Sequence, residues 1–220
     1  MKIVLRLGGS ILGSPPEAAV VRSYSEVISR VVKQKNDVIV VVGGGGIARQ
    51  YINTAKGAGL AAEAQDWIAI QVSRVNAKLF GMVLGVEEVA TTARAAISNV
   101  KQHHVAVMGG LKPGITTDTV ATLVAETWNA DLIIKASDQK GIYTEDPRKS
   151  PKAKLLPTVS YEKLVEILGG EHSPGIHSIV DPVAVRRIAK DKIRLVVVKG
   201  DEPENVIRVV RGERVGTTVG

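Results

Sequence analysis

The sequence predicts an α/β protein, a three-layer α/β/α sandwich with a central, mostly parallel sheet. Three observations point there. Short apolar runs of strand length alternate with helical patterns through most of the 220 residues. Runs such as 38–42 are apolar throughout rather than alternating, as in strands buried on both faces. Several of these runs end directly in glycine, as tight strand-to-helix turns do.

Each element has its own signal. Residues 3–7 form a β-rich run that passes straight into Gly8-Gly9-Ser10. Residues 17–35 carry Val20, Val21, Tyr24, Val27, Ile28, Val31 and Val32 at helical spacing, and Asn36-Asp37 breaks the pattern. The apolar run 38–42 follows, then the glycines 43–46, a helix over about 47–56 and a longer helix over 62–84. A short strand is expected at 86–90, a helix at 92–102, and a strand at 105–108 that ends in Gly109-Gly110. Residues 118–129 read as helix and 131–136 as strand. The stretch 138–160 is rich in turn signals, with Lys140-Gly141 and Asp146-Pro147. Helices are expected at 162–168 and 182–190, a strand at 194–198, and a short helix plus an edge strand in 206–219. There is no repeat and no low-complexity linker. Residues 1–220 are expected to form a single domain, and the only candidate boundary lies near residue 140.

Composition narrows the chemistry. The chain is 45% hydrophobic but only 3% aromatic, so its core must be aliphatic. It has no Cys, which excludes disulfides, thiolate catalysis and Cys-ligated metal centres. The N-terminal apolar run is too short for a signal peptide and ends in Gly8-Gly9-Ser10 rather than at a cleavage site. No apolar run approaches the ~20 residues of a membrane span. A cytoplasmic protein with no membrane partner is expected. The net charge is +7, and the pI is about 9.6. Basicity suits an anionic partner, but Lys and Arg are dispersed and aromatic stacking platforms are scarce. Small phosphate ligands are therefore favoured over nucleic acid.

The glycine loops give the phosphates a place. In an open parallel sheet, ligands bind beyond the carboxyl ends of the strands. Glycine there lets backbone N–H groups approach a phosphate, and the next helix offers its unpaired amides. Three such loops are expected at 8–10, 43–46 and 109–110. No G-x-x-x-x-G-K-[ST] is present, nor a dinucleotide fingerprint, nor the protein-kinase or zinc-protease motifs. Arg6, Arg49 and Lys135 stand beside the expected loops and are candidates to neutralise phosphate charge, each with a plain alternative as a surface cation. Thr116-Thr117-Asp118 reads as a helix N-cap whose hydroxyls are placed to meet phosphate, with Asp118 orienting cations. Asp66 is either a cap or a ribose ligand. His103, His104, His172 and His177 match no metal spacing and are expected on the surface or in loops, and no metal-ligating residues are assigned.

Together these segments resemble the amino acid kinase superfamily, and within it the uridylate kinases, particularly the archaeal form. The opening Ile3-Val4-Leu5-Arg6-Leu7-Gly8-Gly9-Ser10 is similar to the first strand and phosphate loop of that superfamily. Val41-Val42 through Gly46 to Ile47-Ala48-Arg49 resembles its second glycine loop with an arginine. Asp66-Trp67-Ile68-Ala69-Ile70, continuing to Asn76-Ala77, resembles the helix that reaches the UMP ribose. Gly109-Gly110 through Pro113-Gly114 to Thr116-Thr117-Asp118 is similar to the UMP phosphate loop, and Ala136-Ser137-Asp138, Gly141-Ile142-Tyr143 and Asp146-Pro147 to the adenosine segment.

The resemblance spans essentially the whole chain and implies ATP-dependent phosphorylation of UMP to UDP. It implies that Gly8, Gly9, Ser10, Gly45, Arg49, Ser137, Asp138, Tyr143 and Asp146 bind ATP. It assigns Gly44, Asp66, Leu111, Lys112, Pro113, Gly114, Ile115, Thr116 and Thr117 to UMP, and Arg6, Arg49, Asp118 and Lys135 to catalysis. The acceptor side would be mainly 1–130 and the ATP side mainly 131–220. It further implies Mg²⁺ with the nucleotide, a homohexamer built as a trimer of dimers, and feedback inhibition by UTP. Two positions depart from the pattern: Arg6 stands where many members have Lys, and Ser137-Asp138 where Thr-Asn or Thr-Asp is common. The sister isopentenyl phosphate and acetylglutamate kinases place a His beside the second glycine loop, where this chain has Val42 and Ile47-Ala48-Arg49. They remain alternatives, as does a non-catalytic nucleotide sensor or nucleic-acid-binding regulator.

Overall fold

A computed structural model describes residues 1–170 and 179–220. His172 and His177 lie outside the described residues. The element order is β1 (Lys2–Leu7), α1 (Ala18–Lys33), β2 (Asp37–Val42), α2 (Gly45–Gly57), α3 (Ala62–Leu84), β3 (Val89–Ala90), α4 (Ala93–His103), β4 (Val105–Met108), α5 (Thr117–Trp128), β5 (Leu132–Ser137), β6 (Thr158–Val159), α6 (Tyr161–Leu168), α7 (Pro182–Asp191), β7 (Leu195–Lys199), α8 (Glu204–Val210) and β8 (Thr217–Val219).

The strands form one sheet in the order β3-β4-β2-β1-β5-β7-β8-β6. All pairings are parallel except β7 with β8. The continuous apolar runs occupy the middle of the sheet. Both faces there are covered by helices, so successive residues are buried regardless of which way they point. Val4, Ile39, Val41 and Ile133 face a core closed by α4, α5 and α7. Ile3, Leu5, Val38, Val40 and Ile134 face the opposite core, closed by α1, α3 and α8. The low aromatic content is met as expected by aliphatic packing, with Tyr24 and Phe80 as the largest fully buried side chains.

The register brings chemistry to one end of the sheet. Leu7 pairs with Val42 and with Ala136, and Val41 with Met108. The three glycine loops therefore leave adjacent parallel strands at one level. Arg6 and Lys135 are register partners on neighbouring strands. By alternation they share a face with Val4 and Ile133, the face on which α5 lies. Thr116 caps α5 by accepting from the Asp118 and Thr119 amides.

Four expectations change. The strand at 86–90 is reduced to Val89–Ala90. The Val86 amide donates to the Gly81 carbonyl to close the end of α3 around left-handed Gly85, so pairing begins later. The strand within 206–219 is β8, but it is not an edge: β6 pairs outside it. A two-residue strand within a turn-rich stretch leaves no periodicity to read. The helix expected from 47 begins at Gly45, so the second glycine loop is partly the first turn of α2. Asp66 is no cap, since α3 starts at Ala62 with Ala61 at its N-cap.

Leu5 lies in β1, inside the sheet, and is fully buried in the core closed by α1, α3 and α8. Leu5→Ala should cost about 2–5 kcal/mol of unfolding free energy. Urea denaturation should show a lower midpoint with an unchanged slope.

Candidate active site

Arg6, Lys135 and Asp118 form a largely buried cluster at the head of α5, with Lys135 the deepest of the three. Arg6 Nε lies 2.6 Å from Asp118 Oδ1. That N–H is not aligned as a hydrogen bond, so the contact is electrostatic. Arg6 also donates to Thr117 Oγ1 at 2.9 Å. Lys135 donates to the same Asp118 oxygen. Burial pushes the Asp118 carboxyl up, but the Arg6 and Lys135 charges outweigh it and hold the group below its ordinary value. Burial dominates for Lys135: despite the Asp118 charge, its ammonium is lowered to about 8. The surface-cation alternative is thus wrong for Lys135, which is 6% exposed. Two cations share one carboxylate, an arrangement that leaves room for an anion.

Above this cluster opens a cavity of about 590 Å³, lined by Arg6, Gly8, Ser10, Arg49, Thr116, Asp118, Lys135, Ser137, Asp138 and Asp181, among others. Arg49 is exposed and reaches this cavity from the end of the first turn of α2. Gly9 and Gly45 do not line it; they hold the first two loops together. A Cβ on Gly9 would lie 2.2 Å from the Gly45 nitrogen, and one on Gly45 2.5 Å from the Gly9 oxygen. Gly45 also has φ +65°, a left-handed conformation. Backbones approach this closely only without side chains.

Two further pockets flank the cavity. One, of about 130 Å³, is lined by Gly44, Asp66, Lys112, Ile115, Thr116 and Thr117 with residues of α3. Asp66 Oδ2 accepts the Gly114 amide at 2.8 Å, tying the 110–116 loop to α3. Leu111 packs instead against the hydrophobic core, and neither it nor Pro113 or Gly114 lines the pocket. The other pocket, of about 450 Å³, includes Tyr143 and Asp146 with Ile142 and Leu156. Of the histidines, His103 and His104 lie at the exposed end of α4, with His104 Nδ1 2.7 Å from Asp37.

The model of the amino acid kinase family matches residues 1–199. The chain belongs to the amino acid kinase family. A uridylate kinase of Natronomonas pharaonis is 36% identical over 100% of this chain and 98% of its own length. A uridylate kinase of Archaeoglobus fulgidus is 37% identical, with both chains covered in full. The crystal structure of uridylate kinase from Archaeoglobus fulgidus superimposes with a TM-score of 0.92 at 37% identity, covering 100% of each chain. The UMP kinase structure from Bacillus anthracis, at 22% identity and TM-score 0.84 over 100% of this chain and 95% of that one, shares the fold.

In this member of the amino acid kinase family the site is braced by Asp181 and Ser73, which the sequence did not single out, and by Asn76, which stood out there only as part of a segment. Asp181 caps α7 through the Val183 and Ala184 amides, at 2.9 and 3.0 Å. It also accepts from Thr119 at 3.0 Å and from Thr116. It thereby joins the loop of one small pocket to the far half of the sheet. Asp-Pro before a helix is a signal from which the cap could have been read, but nothing in the sequence points to the threonines. Asn76 donates to the carbonyls of Gly43 and Gly44, at 3.0 and 3.3 Å. Ser73 Oγ accepts the Gly110 amide at 2.7 Å. Together they lay α3 across two glycine loops.

Gly9→Ala should be among the most damaging small substitutions, because the added methyl meets backbone rather than a flexible side chain. The expected cost is about 3 kcal/mol or more, read as a lowered melting temperature together with loss of nucleotide binding.

Proposed function

We propose that this protein is a UMP kinase that transfers the γ-phosphoryl group of ATP to UMP, giving UDP and ADP for pyrimidine nucleotide synthesis. The observation that carries this is the Arg6–Asp118–Lys135 cluster beneath a cavity lined by Gly8 and Ser10 of the first glycine loop and by Arg49 of α2. It occurs in a chain whose full-length relatives are named uridylate kinases. A phosphate oxygen of UMP attacks the γ-phosphorus in line, and the bond to the β,γ-bridging oxygen breaks as ADP leaves. The acceptor is already anionic near neutral pH, so no protein base is required. The residues' work is positioning and charge neutralisation.

In this proposal Gly8 and Ser10 hold the donor phosphates, Gly9 and Gly45 support them by letting the two loops meet, and Arg6, Arg49 and Lys135 balance the charge that spreads over the transferring group. Asp118 holds Arg6 and Lys135 in position. UMP occupies the pocket of Gly44, Asp66 and Thr116–Thr117, where the Asp66 carboxylate can accept from ribose hydroxyls. Adenosine takes the pocket of Tyr143 and Asp146. The acceptor side is then mainly 1–130 and the donor side mainly 131–220. Among the described residues no group of three or more His, Asp or Glu converges on one point. Mg²⁺ keeps several waters and rides on nucleotide phosphates, so it fits as part of the donor.

UTP as feedback inhibitor is in keeping with the same layout. Thr116 lines both the acceptor pocket and the phosphate cavity. A uridine nucleotide with three phosphates would enter both and exclude both substrates. The proposed assembly is a hexamer of three dimers; what supports self-association of some order is the apolar stripe that Trp67, Val75, Leu79 and Met82 leave exposed along α3. No helix among the described residues is long and apolar enough to cross a membrane, and the reaction is assigned to the cytoplasm.

With ATP and Mg²⁺, ADP release should be rapid with UMP and far slower with CMP, AMP, acetylglutamate or isopentenyl phosphate; preference for another acceptor would overturn the assignment. Arg49→Ala should lower turnover about 10²–10³-fold; activity near that of the wild type would remove Arg49 from the mechanism. Lys135 must be charged to act, and its ammonium titrates at about 8. The value of kcat/KM for ATP should therefore hold below that pH and fall as pH rises through it. A profile flat to about pH 9.5, where a Lys titrating near 8 is almost wholly neutral, would exclude this role.

A further inference from the structure

We propose that Arg148 is a ligand of the donor's phosphate chain and that Asp146 holds it ready for that task. The inference rests on the reading of the protein as an ATP-dependent kinase. It departs from the expectation that Asp146 serves only the adenosine.

Asp146 begins a tight turn in which the Lys149 and Ser150 amides both donate to its carbonyl, each at 3.0 Å. Its carboxylate is occupied by Arg148. The Arg148 amide and Nε donate to Oδ1, and an Nη donates to Oδ2, all at 3.0 Å. Two parallel N–H···O contacts fix the plane of the guanidinium as well as its position. The Asp146 charge and hydrogen bonds hold the Arg148 guanidinium above its already high ordinary value, so it is cationic at any working pH.

The turn stands where two cavities meet. Asp146 and Pro147 line the pocket assigned to adenosine. Arg148 lines the phosphate cavity with Arg6, Arg49 and Lys135, and Gln139 lines both. A nucleotide with its base in one and its phosphates in the other must pass this turn. The other three cations come from β1, α2 and β5; Arg148 brings positive charge from the segment that also forms the adenosine pocket. A surface ion pair of two residues in the same turn would have little energetic value by itself. Its function here is to spare Arg148 the loss of side-chain freedom when a phosphate binds. Arg suits the task better than Lys, because its planar fork serves a carboxylate and a phosphate together.

The test is calorimetric binding of adenosine, ADP and ATP, with steady-state kinetics, for the wild type, Arg148→Ala, Arg148→Lys and Asp146→Asn. Arg148→Ala should weaken ATP about ten-fold or more, while the affinity for adenosine and the KM for UMP stay within two-fold. Arg148→Lys should recover part of the loss, and Asp146→Asn should fall between the wild type and Arg148→Ala. ATP affinity within two-fold of wild type in Arg148→Ala, at an unchanged melting temperature, would overturn the proposal. Equal weakening of adenosine and ATP would also overturn it, since Arg148 would then only shape the turn. So would a wild type that binds ATP no more tightly than adenosine. A wild type that binds ATP more tightly than adenosine but does not phosphorylate UMP would sink the acceptor assignment instead, and the Arg148 comparison would still decide this proposal.

Discussion

Two cations, Arg6 and Lys135, are held below the surface by one carboxylate, and much of the molecule is arranged around that fact. Taking a Lys or Arg out of water is costly unless the charge is paired. Asp118 serves both, which leaves the cluster with more positive than negative charge. The Lys135 ammonium is lowered mainly by its burial, and the neighbouring Arg6 charge acts in the same direction. In the proposed reaction a phosphate group would restore the balance at the carboxyl ends of the central strands, where backbone amides are also available.

Parallel pairing is what makes this cluster possible. Arg6 and Lys135 become neighbours because β1 and β5 run in register, although the residues are far apart in sequence. Asp118 meets them because α5 covers that face, with Thr116 fixing the helix start. Asp181 extends the arrangement by accepting from Thr116 and Thr119, so the end of the 110–116 loop is tied to α7. The two halves of the sheet are thus coupled through hydrogen bonds at the point where two substrates would meet.

The glycine loops contribute in two physically distinct ways. Gly8 leaves backbone open to the cavity. Gly9, Gly43 and Gly45 instead let two loops touch backbone to backbone. A side chain on the second group would push apart the strands that carry the site, so these glycines act on the site through packing. Asn76 and Ser73 make the corresponding contacts from α3.

The sequence by itself determined the fold class, most element boundaries and part of the lining of the large cavity, among it Arg6, Gly8, Ser10, Arg49, Asp118 and Lys135. Those signals are local: apolar runs of strand length, helical periodicity, and glycine at strand ends. Short or irregular pieces were not legible. β6 is two residues long, and β3 begins only after Val86 has closed α3. Tertiary structure alone decided that Lys135 is buried, that Asp66 holds the Gly114 amide, and that Asp146 and Arg148 face different cavities across one turn. Local propensity decides which residues form a helix or a strand. It is strand order and register that decide which charges share a low-dielectric space, and those arise from the packing of the whole chain.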